Sequence, residues 1–234
     1  MQTKTTSATT KKKIRVLVVD DSALMRKMVS EILNQQPDIE VIETAKDGED
    51  ALQKAQRHRP DVITLDVEMP RMSGLEFLSA LMPSQPTPVV MLSSLTTKGA
   101  EITFRCLQKG AVDFVGKPSQ SSVCLSIKDV SNEIAHKVRM ASVAKMPYIS
   151  AEEPPKTAQA EIKQEPRKSH QDPKMVVVIA SSTGGPNALN GFLPYLPQSL
   201  DIAYLLVQHL PTGFSRLFAN RLNSACSLEV REAE

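Results

Sequence analysis

Five polar side chains in the first half of the sequence come at or directly after short aliphatic runs. They are Asp20 and Asp21 after IRVLVV, Asp66 in DVITLDV, Ser93 ending TPVVMLS, and Lys117 after AVDFVG. In an open parallel sheet, ligands collect beyond the carboxyl ends of the strands, so we expect these side chains to meet there. Clustered carboxylates repel one another unless a cation joins them, and hard oxygen ligands suit Mg²⁺. The pattern therefore predicts a magnesium site with a compensating lysine.

A second chemical pattern is IASSTGGPNAL, residues 179–189, in which an apolar run gives way to hydroxyls and glycines. A helix amino terminus after Gly-Gly could bind phosphate, although neither G-x-G-x-x-G nor G-x-x-x-x-G-K-[ST] is present. Ser or Thr could also simply cap a helix that starts at Pro186. His209 ends the next apolar run, IAYLLVQH, 27 positions after Ser182. This spacing puts a nucleophile and a base on neighbouring strand ends, as Ser-His hydrolysis requires.

Residues 14–143 contain the elements that must position the first set of side chains. Short aliphatic runs alternate with longer stretches that carry apolar residues at helical spacing. Five strands and five helices predict a flavodoxin-like (βα)5 fold, with a parallel sheet covered on both faces and right-handed crossovers.

The remaining parts of the chain differ in composition. Residues 1–13 form a polar tail that we expect to be disordered, and residues 144–174 form a flexible linker with five prolines and few large apolar side chains. From residue 175 to 234 the pattern predicts a strand, a helix from about Pro186, a strand, a helix and the start of a third strand at SLEVREA. We expect these 60 residues to form a unit small enough to leave apolar strand edges unpaired.

Residues 14 to about 140 resemble response-regulator receiver domains in VVDDSALMRK, LDVEMPRMSGLEFL and AVDFVGKP. The resemblance implies that a histidine kinase phosphorylates Asp66 in the presence of Mg²⁺. It implies a metal site that comprises Asp21, Asp66 and the backbone carbonyl of Glu68, with Asp20 nearby. Lys117 would pair with the phosphoryl oxygens.

The same resemblance implies a switch. Ser93 would hydrogen-bond to the phosphoryl group, and its movement would leave space for the ring of Phe114 to move. The family often has Tyr where this chain has Phe114, so a switch based on a ring hydroxyl is absent here.

The segments IASSTGGPNAL and LLVQHLPTGFSRLFANRLN resemble the catalytic domain of the chemotaxis protein-glutamate methylesterase family, CheB. The resemblance implies hydrolysis of glutamate methyl esters, and deamidation of glutamines, on methyl-accepting chemoreceptors. Ser182 would attack the ester, His209 would carry the proton and Thr183 would orient one of them, with backbone N–H groups near Gly184 and Gly185 facing the oxyanion. The family commonly has Gly-Ala where this chain has Ala180-Ser181.

The resemblance also implies that residues 175–234 are the amino-terminal part of a doubly wound α/β methylesterase domain. It implies a catalytic aspartate from a later strand, beyond Glu234. Asp201 lies at the opposite end of the His209 strand, and nothing in the sequence places Glu229, Glu232 or Glu234 against the imidazole. We therefore expect the chain to be inactive as an esterase. The alternative to a phosphorylation-gated enzyme is a non-catalytic phospho-acceptor or phosphate sink.

Composition limits the remaining functional classes. The net charge of +2 gives no basis for nucleic-acid binding, and the apolar runs are too short for membrane insertion. Cys106, Cys124 and Cys226 lack metal-ligand spacing, which predicts reduced thiols and a cytoplasmic protein.

Overall fold

The first region of the chain is a five-stranded parallel sheet with five helices. The computed structural model describes residues 12–94, 96–117, 127–146, 173–197, 200–211 and 213–233. The strands are β1 Ile14–Val19, β2 Ile39–Ala45, β3 Val62–Asp66, β4 Val89–Ser93 and β5 Asp113–Gly116. The helices are α1 Ala23–Asn34, α2 Gly48–His58, α3 Gly74–Ser84, α4 Thr97–Gln108 and α5 Ile127–Ser142. Most of the predicted tail, most of the predicted linker, Cys124 and Glu234 lie outside the described residues.

The strand order β2-β1-β3-β4-β5 confirms the predicted flavodoxin-like sheet. Every residue of β3 and β4 is buried, as is typical of parallel strands that are covered on both faces. One apolar cluster lies under α2, α3 and α4, and a second lies under α1 and α5. Because the order reverses between β1 and β3, the carboxyl ends of these two strands border a crevice.

The second region contains two parallel strands, β6 Met175–Ser181 and β7 Ile202–Gln208, paired in register over their whole length. Helix α6, Gly185–Phe192, follows β6, and helix α7, Phe214–Ala225, follows β7. One face of this sheet, with Ile179 and Leu206, packs against the apolar cluster that includes residues of α6 and α7. The opposite face is exposed to solvent: Val176, Val178, Leu205 and Val207 are each more than half exposed.

The predicted third strand at SLEVREA is wrong, because residues 227–233 form no strand. They return along α7 instead. The Val230 amide donates a hydrogen bond to the Asn223 side chain, and the Glu232 carboxylate accepts from Ser215 and Arg216. These contacts to the preceding helix replace pairing at a sheet edge.

The two regions share one apolar core. Leu189, Leu193, Phe214, Phe218 and Leu222 of the second region join the cluster under α4. The Asn187 side chain donates a 2.9 Å hydrogen bond to the carbonyl of Ala111, just before β5. The second region therefore packs on the α4 and β5 side of the first.

Two further features bear on the sequence predictions. None of the described helices is long and apolar enough to cross a membrane. Cys106 and Cys226 are free thiols, and burial raises the pKa of Cys106 to about 12, so that thiol stays protonated at neutral pH.

Candidate functional sites

The predicted acidic cluster forms at the carboxyl ends of β1 and β3. The Lys117 ammonium lies 2.8 Å from a carboxylate oxygen of Asp20 and 2.7 Å from one of Asp66. Asp20 and Asp66 are buried, whereas Asp21 is exposed. One carboxylate oxygen from each of the three aspartates lies within 4.8 Å of the other two. Three hard oxygen ligands, with one of them open to solvent, fit a divalent cation such as Mg²⁺.

Backbone groups fix the two buried carboxylates. Asp20 accepts a 2.9 Å hydrogen bond from the Ser22 amide, and Asp66 accepts a longer bond from the Glu68 amide. Ser22, rather than Asp20, caps α1 by accepting from the Met25 amide. The Glu68 carboxylate lies 3.5 Å from the Lys98 ammonium, so it pairs with Lys98, whereas Asp20 and Asp66 pair with Lys117.

Burial is the largest influence on the pKa of Asp66, the predicted phosphorylation site. It raises the pKa of Asp66 from an ordinary 3.8 to about 6, against the hydrogen bond and charge of Lys117, and Asp20 adds to the rise. Burial also acts to lower the pKa of Lys117, but the hydrogen bonds to Asp20 and Asp66 outweigh it and leave that pKa raised. At neutral pH the site thus holds a charged lysine in contact with Asp20 and with an Asp66 carboxylate whose ionisation is costly.

Of the two predicted switch residues, Ser93 ends β4 and Phe114 is the second residue of β5, and both are buried. Ser93 Oγ is hydrogen-bonded to Thr103 Oγ1 of α4 at 2.7 Å. The Phe114 ring stacks on Phe214 of the second region, with centroids 4.8 Å apart, and contacts Phe104 edge-on. The ring predicted to move is therefore part of the contact between the regions.

The Ser182 turn lies at the matching edge of the smaller sheet. Ser182 and His209 each follow the last residue of a paired strand, and both side chains are exposed. Within the described residues, no hydrogen bond joins the Ser182 hydroxyl to the His209 imidazole. The Thr183 hydroxyl oxygen is buried without a hydrogen-bond partner among the described residues, so it is hydrogen-bonded to neither Ser182 nor His209.

Gln208 ties the two strand ends together. Its Oε1 accepts a 2.6 Å hydrogen bond from Ser181 Oγ, and its Nε2 donates 3.0 Å bonds to the carbonyls of Ser182 and His209. A Cβ on Gly185 would lie 2.0 Å from Gln208 Oε1, so this close approach requires glycine. Since Ser181 is engaged with Gln208 and Ser182 is exposed, the geometry favours Ser182 as the reactive hydroxyl.

The glycines make the turn itself. Gly184 has φ +74°, which a side chain would strain, and α6 begins at the next residue. The Gly185 amide donates a 2.8 Å hydrogen bond to the Ser182 carbonyl. That donor is used within the turn, which makes the Gly184 amide the better remaining candidate for an oxyanion.

Both regions match known sequence families. The response regulator receiver domain family matches residues 16–127, and the CheB methylesterase family matches residues 177–234. The response regulator domain of Thermotoga maritima CheB is 48% identical and has a TM-score of 0.52; the match covers 57% of this chain and 99% of that one. The chain belongs to the CheB family.

Curated relatives of this CheB-family chain are similar along almost its whole length. A protein-glutamate methylesterase/protein-glutamine glutaminase of Caldanaerobacter subterraneus subsp. tengcongensis is 49% identical over 96% of this chain and 62% of that protein. One of Pyrococcus abyssi is 46% identical over 96% of this chain and 60% of that protein. The chain thus spans about three-fifths of the length of these relatives.

Sequence reasoning did not find two side chains that support these CheB-family sites: Thr103 and Gln208. Each has a visible signal in retrospect, because each is a polar residue on an otherwise apolar strip. Thr103 lies between Ala100 and Leu107 on α4, and Gln208 ends the run IAYLLV. Such positions predict burial but not the partner, which comes from another element.

Proposed function

We propose that this chain is a chemotaxis response regulator in which a histidine kinase phosphorylates Asp66. The observation that carries the proposal is the pairing of Lys117 with both Asp20 and Asp66 beside the exposed Asp21. An Asp66 carboxylate oxygen attacks phosphorus while the bond from phosphorus to the kinase histidine nitrogen breaks. Lys117 then pairs with the phosphoryl oxygens, and Ser93 donates a hydrogen bond to one of them.

The acidic residues prepare this step by holding a cation. Asp20, Asp21 and Asp66, with the Glu68 carbonyl, would hold Mg²⁺, which supplies positive charge against the phosphoryl oxygens. The raised pKa of Asp66 supports this role, because a cation would relieve the repulsion between Asp66 and Asp20 and favour the ionised nucleophile.

Phosphorylation would regulate the second region through α4 and Phe114. The rings of Phe104 and Phe114 contact Phe214, so a movement of Phe114 toward Ser93 changes the surface against which α7 packs. In the proposed output, Ser182 attacks a glutamate methyl ester or a glutamine amide on a chemoreceptor, and His209 takes the serine proton and passes it to the leaving group. Exposure of both side chains is compatible with a substrate that is itself a protein helix.

A non-catalytic phospho-acceptor is the second candidate function, and one observation favours it for the chain as it stands. Within the described residues, His209 has no carboxylate hydrogen-bonded to its imidazole. Changing the acid of a serine-protease triad lowers kcat by about 10⁴. In this second candidate function, the chain takes up phosphoryl groups in the cytoplasm, and its described residues hydrolyse receptor esters slowly or not at all.

One experiment separates the two functions. The purified chain is incubated with acetyl phosphate and Mg²⁺, and then with receptor that carries labelled methyl esters. We expect the aspartyl phosphate to form in the native chain and in Asp61→Asn, but not in Asp66→Asn. Methanol release that is lost in Ser182→Ala and kept in Ser181→Ala would establish the esterase, whereas phosphorylation without methanol would establish the phospho-acceptor. A native chain that does neither would disprove both.

A further inference from the structure

Thr103 is a fully buried threonine on helix α4, outside the residues assigned to the phosphorylation site. Its Oγ1 lies 2.7 Å from Ser93 Oγ and 2.7 Å from the carbonyl oxygen of Gly99. Ser93 Oγ lies 3.1 Å from the carbonyl oxygen of Ser94. The two hydroxyls carry two protons for three contacts. Each favourable arrangement leaves one proton between the two hydroxyl oxygens, so the Ser93–Thr103 bond is kept in both.

The Ser93–Thr103 bond occupies the Ser93 hydroxyl, which is the group proposed to hydrogen-bond to the phosphoryl oxygens. Ser93 ends β4, which pairs with β3 up to Asp66, and its backbone carbonyl accepts a hydrogen bond from the Lys117 amide. The backbone of Ser93 is therefore fixed, and its side chain reaches a new partner by rotation. Rotation toward Asp66 gives up the bond to Thr103.

We propose that Thr103 is a positioning residue that holds Ser93 in its resting rotamer and thereby sets the free-energy cost of the phosphorylated state. The proposal rests on the proposed phosphorylation of Asp66. When Ser93 turns away, Thr103 still donates to the Gly99 carbonyl, so the cost is one hydrogen bond rather than an unpaired buried hydroxyl.

The position of Thr103 also connects this bond to the second region. The next residue, Phe104, stacks on Phe218 with centroids 5.4 Å apart and contacts Phe214 at 6.0 Å. When the Ser93–Thr103 bond breaks, α4 loses a contact at the residue next to Phe104, whose ring packs against α7. The strength of this single bond therefore sets how readily phosphorylation reaches α7.

The test measures how tightly the full chain binds beryllium fluoride in the presence of Mg²⁺. Beryllium fluoride binds to an aspartate carboxylate and mimics a phosphoryl group. Fluorine NMR gives the dissociation constant. Thr103→Val removes the hydroxyl at nearly constant volume, so we expect about threefold to tenfold tighter binding from the loss of one resting-state hydrogen bond. Thr103→Ala, a second variant without the hydroxyl, shifts the constant in the same direction.

Two controls separate this effect from a general loss of packing. Thr103→Ser keeps the hydroxyl and binds like the native chain. Thr87 is also buried and donates to a backbone carbonyl, that of Gln85, but lies at the other end of β4. Thr87→Val therefore loses a comparable hydrogen bond and leaves the dissociation constant unchanged.

A double-mutant cycle decides whether Thr103 acts through Ser93. In a Ser93→Ala background, Thr103→Val has no effect on binding if the proposal holds. An unchanged constant for Thr103→Val, or the same change in both backgrounds, overturns it. A native chain that binds no beryllium fluoride overturns the proposed phosphorylation and this inference with it, whereas native binding without coupling overturns this inference alone.

Discussion

The two regions of this chain each place a polar site at the carboxyl edge of a parallel sheet, but they support it differently. The five-stranded sheet is covered on both faces, and its site is an ion-paired cluster in which Asp20 and Asp66 are buried. The two-stranded sheet is covered on one face, and its candidate residues Ser182 and His209 are exposed. Burial thus fixes side chains in the first site, whereas in the second site Gln208 fixes the backbone and leaves the two candidate side chains in solvent.

The largest expected effect is a loss of stability in the first region. Lys137 is buried on α5, 3.2 Å from Asp113, and donates a 2.6 Å hydrogen bond to the Phe114 carbonyl. Lys137→Met leaves the buried Asp113 uncompensated and should lower the free energy of unfolding by about 3–5 kcal/mol. Urea denaturation followed by circular dichroism measures this change.

The control is another helical lysine that pairs with a glutamate one turn away, as Lys137 does with Glu133. Lys27 is exposed and lies 3.8 Å from Glu31, so Lys27→Met should change the same free energy by less than about 0.5 kcal/mol. Equal effects of the two substitutions would show that burial does not distinguish them.

The next prediction concerns the packing contact between the two regions. Phe214 is 1% exposed between Phe104 and Phe114. Phe214→Ala should cost about 3 kcal/mol of packing, which is roughly a hundredfold in the docking equilibrium. We expect hydrogen exchange to quicken by this factor in β6 and β7 and to stay unchanged in β1 and β3.

Phe192→Ala serves as the control, because Phe192 is 46% exposed and should leave exchange in both regions as it is. Faster exchange throughout the five-stranded sheet in Phe214→Ala would mean that the regions unfold as one unit.

A smaller effect has the opposite sign. In metal-free buffer, Asp66→Asn should raise the Tm of the first region by about 4 °C or more at pH 8, because the native carboxylate is buried beside Asp20. The pKa of Asp66 is raised from 3.8 to about 6, so the native penalty is absent below pH 4, grows between pH 4 and 6, and is complete above pH 6.

Thermal melts at pH 3.5, 5 and 8 test this order, with the exposed Glu40→Gln as a control that shows no such trend. A gain from Asp66→Asn that is the same at all three pH values would disprove the electrostatic cause.

The smallest effect concerns the second site. Gln208→Met removes three hydrogen bonds at nearly constant size, and we expect local opening of residues 181–185 to increase about tenfold. Gln85→Met in the first region removes a bond to the Ala55 carbonyl and should leave exchange at residues 181–185 unchanged. Amide exchange by NMR measures both. No change in Gln208→Met would mean that strand pairing alone holds the turn.

Much of the fold followed from local pattern. The run IRVLVV is β1 without a change of boundary, and β6 begins at Met175 as predicted. The contact of Lys117 with Asp20 and Asp66 followed from topology, because parallel strands bring their carboxyl ends to one edge.

What failed or was missed depends on tertiary contacts. The segment SLEVREA has the composition of a strand, but Asn223 and Ser215 on α7 bind it instead. The partners of Thr103 and Gln208 lie on other elements, and sequence periodicity says nothing about them. The pairing of Ser182 with His209 for catalysis stays a prediction.

The contact between the regions has a thermal consequence. It consists of phenylalanine rings and leucines, with the amide of Asn187 on a backbone carbonyl. Attraction between apolar surfaces weakens on cooling and depends little on ionic strength, unlike attraction between charges. The second region should therefore pack less tightly on the first at low temperature, and the strength of this contact should change little as the salt concentration rises.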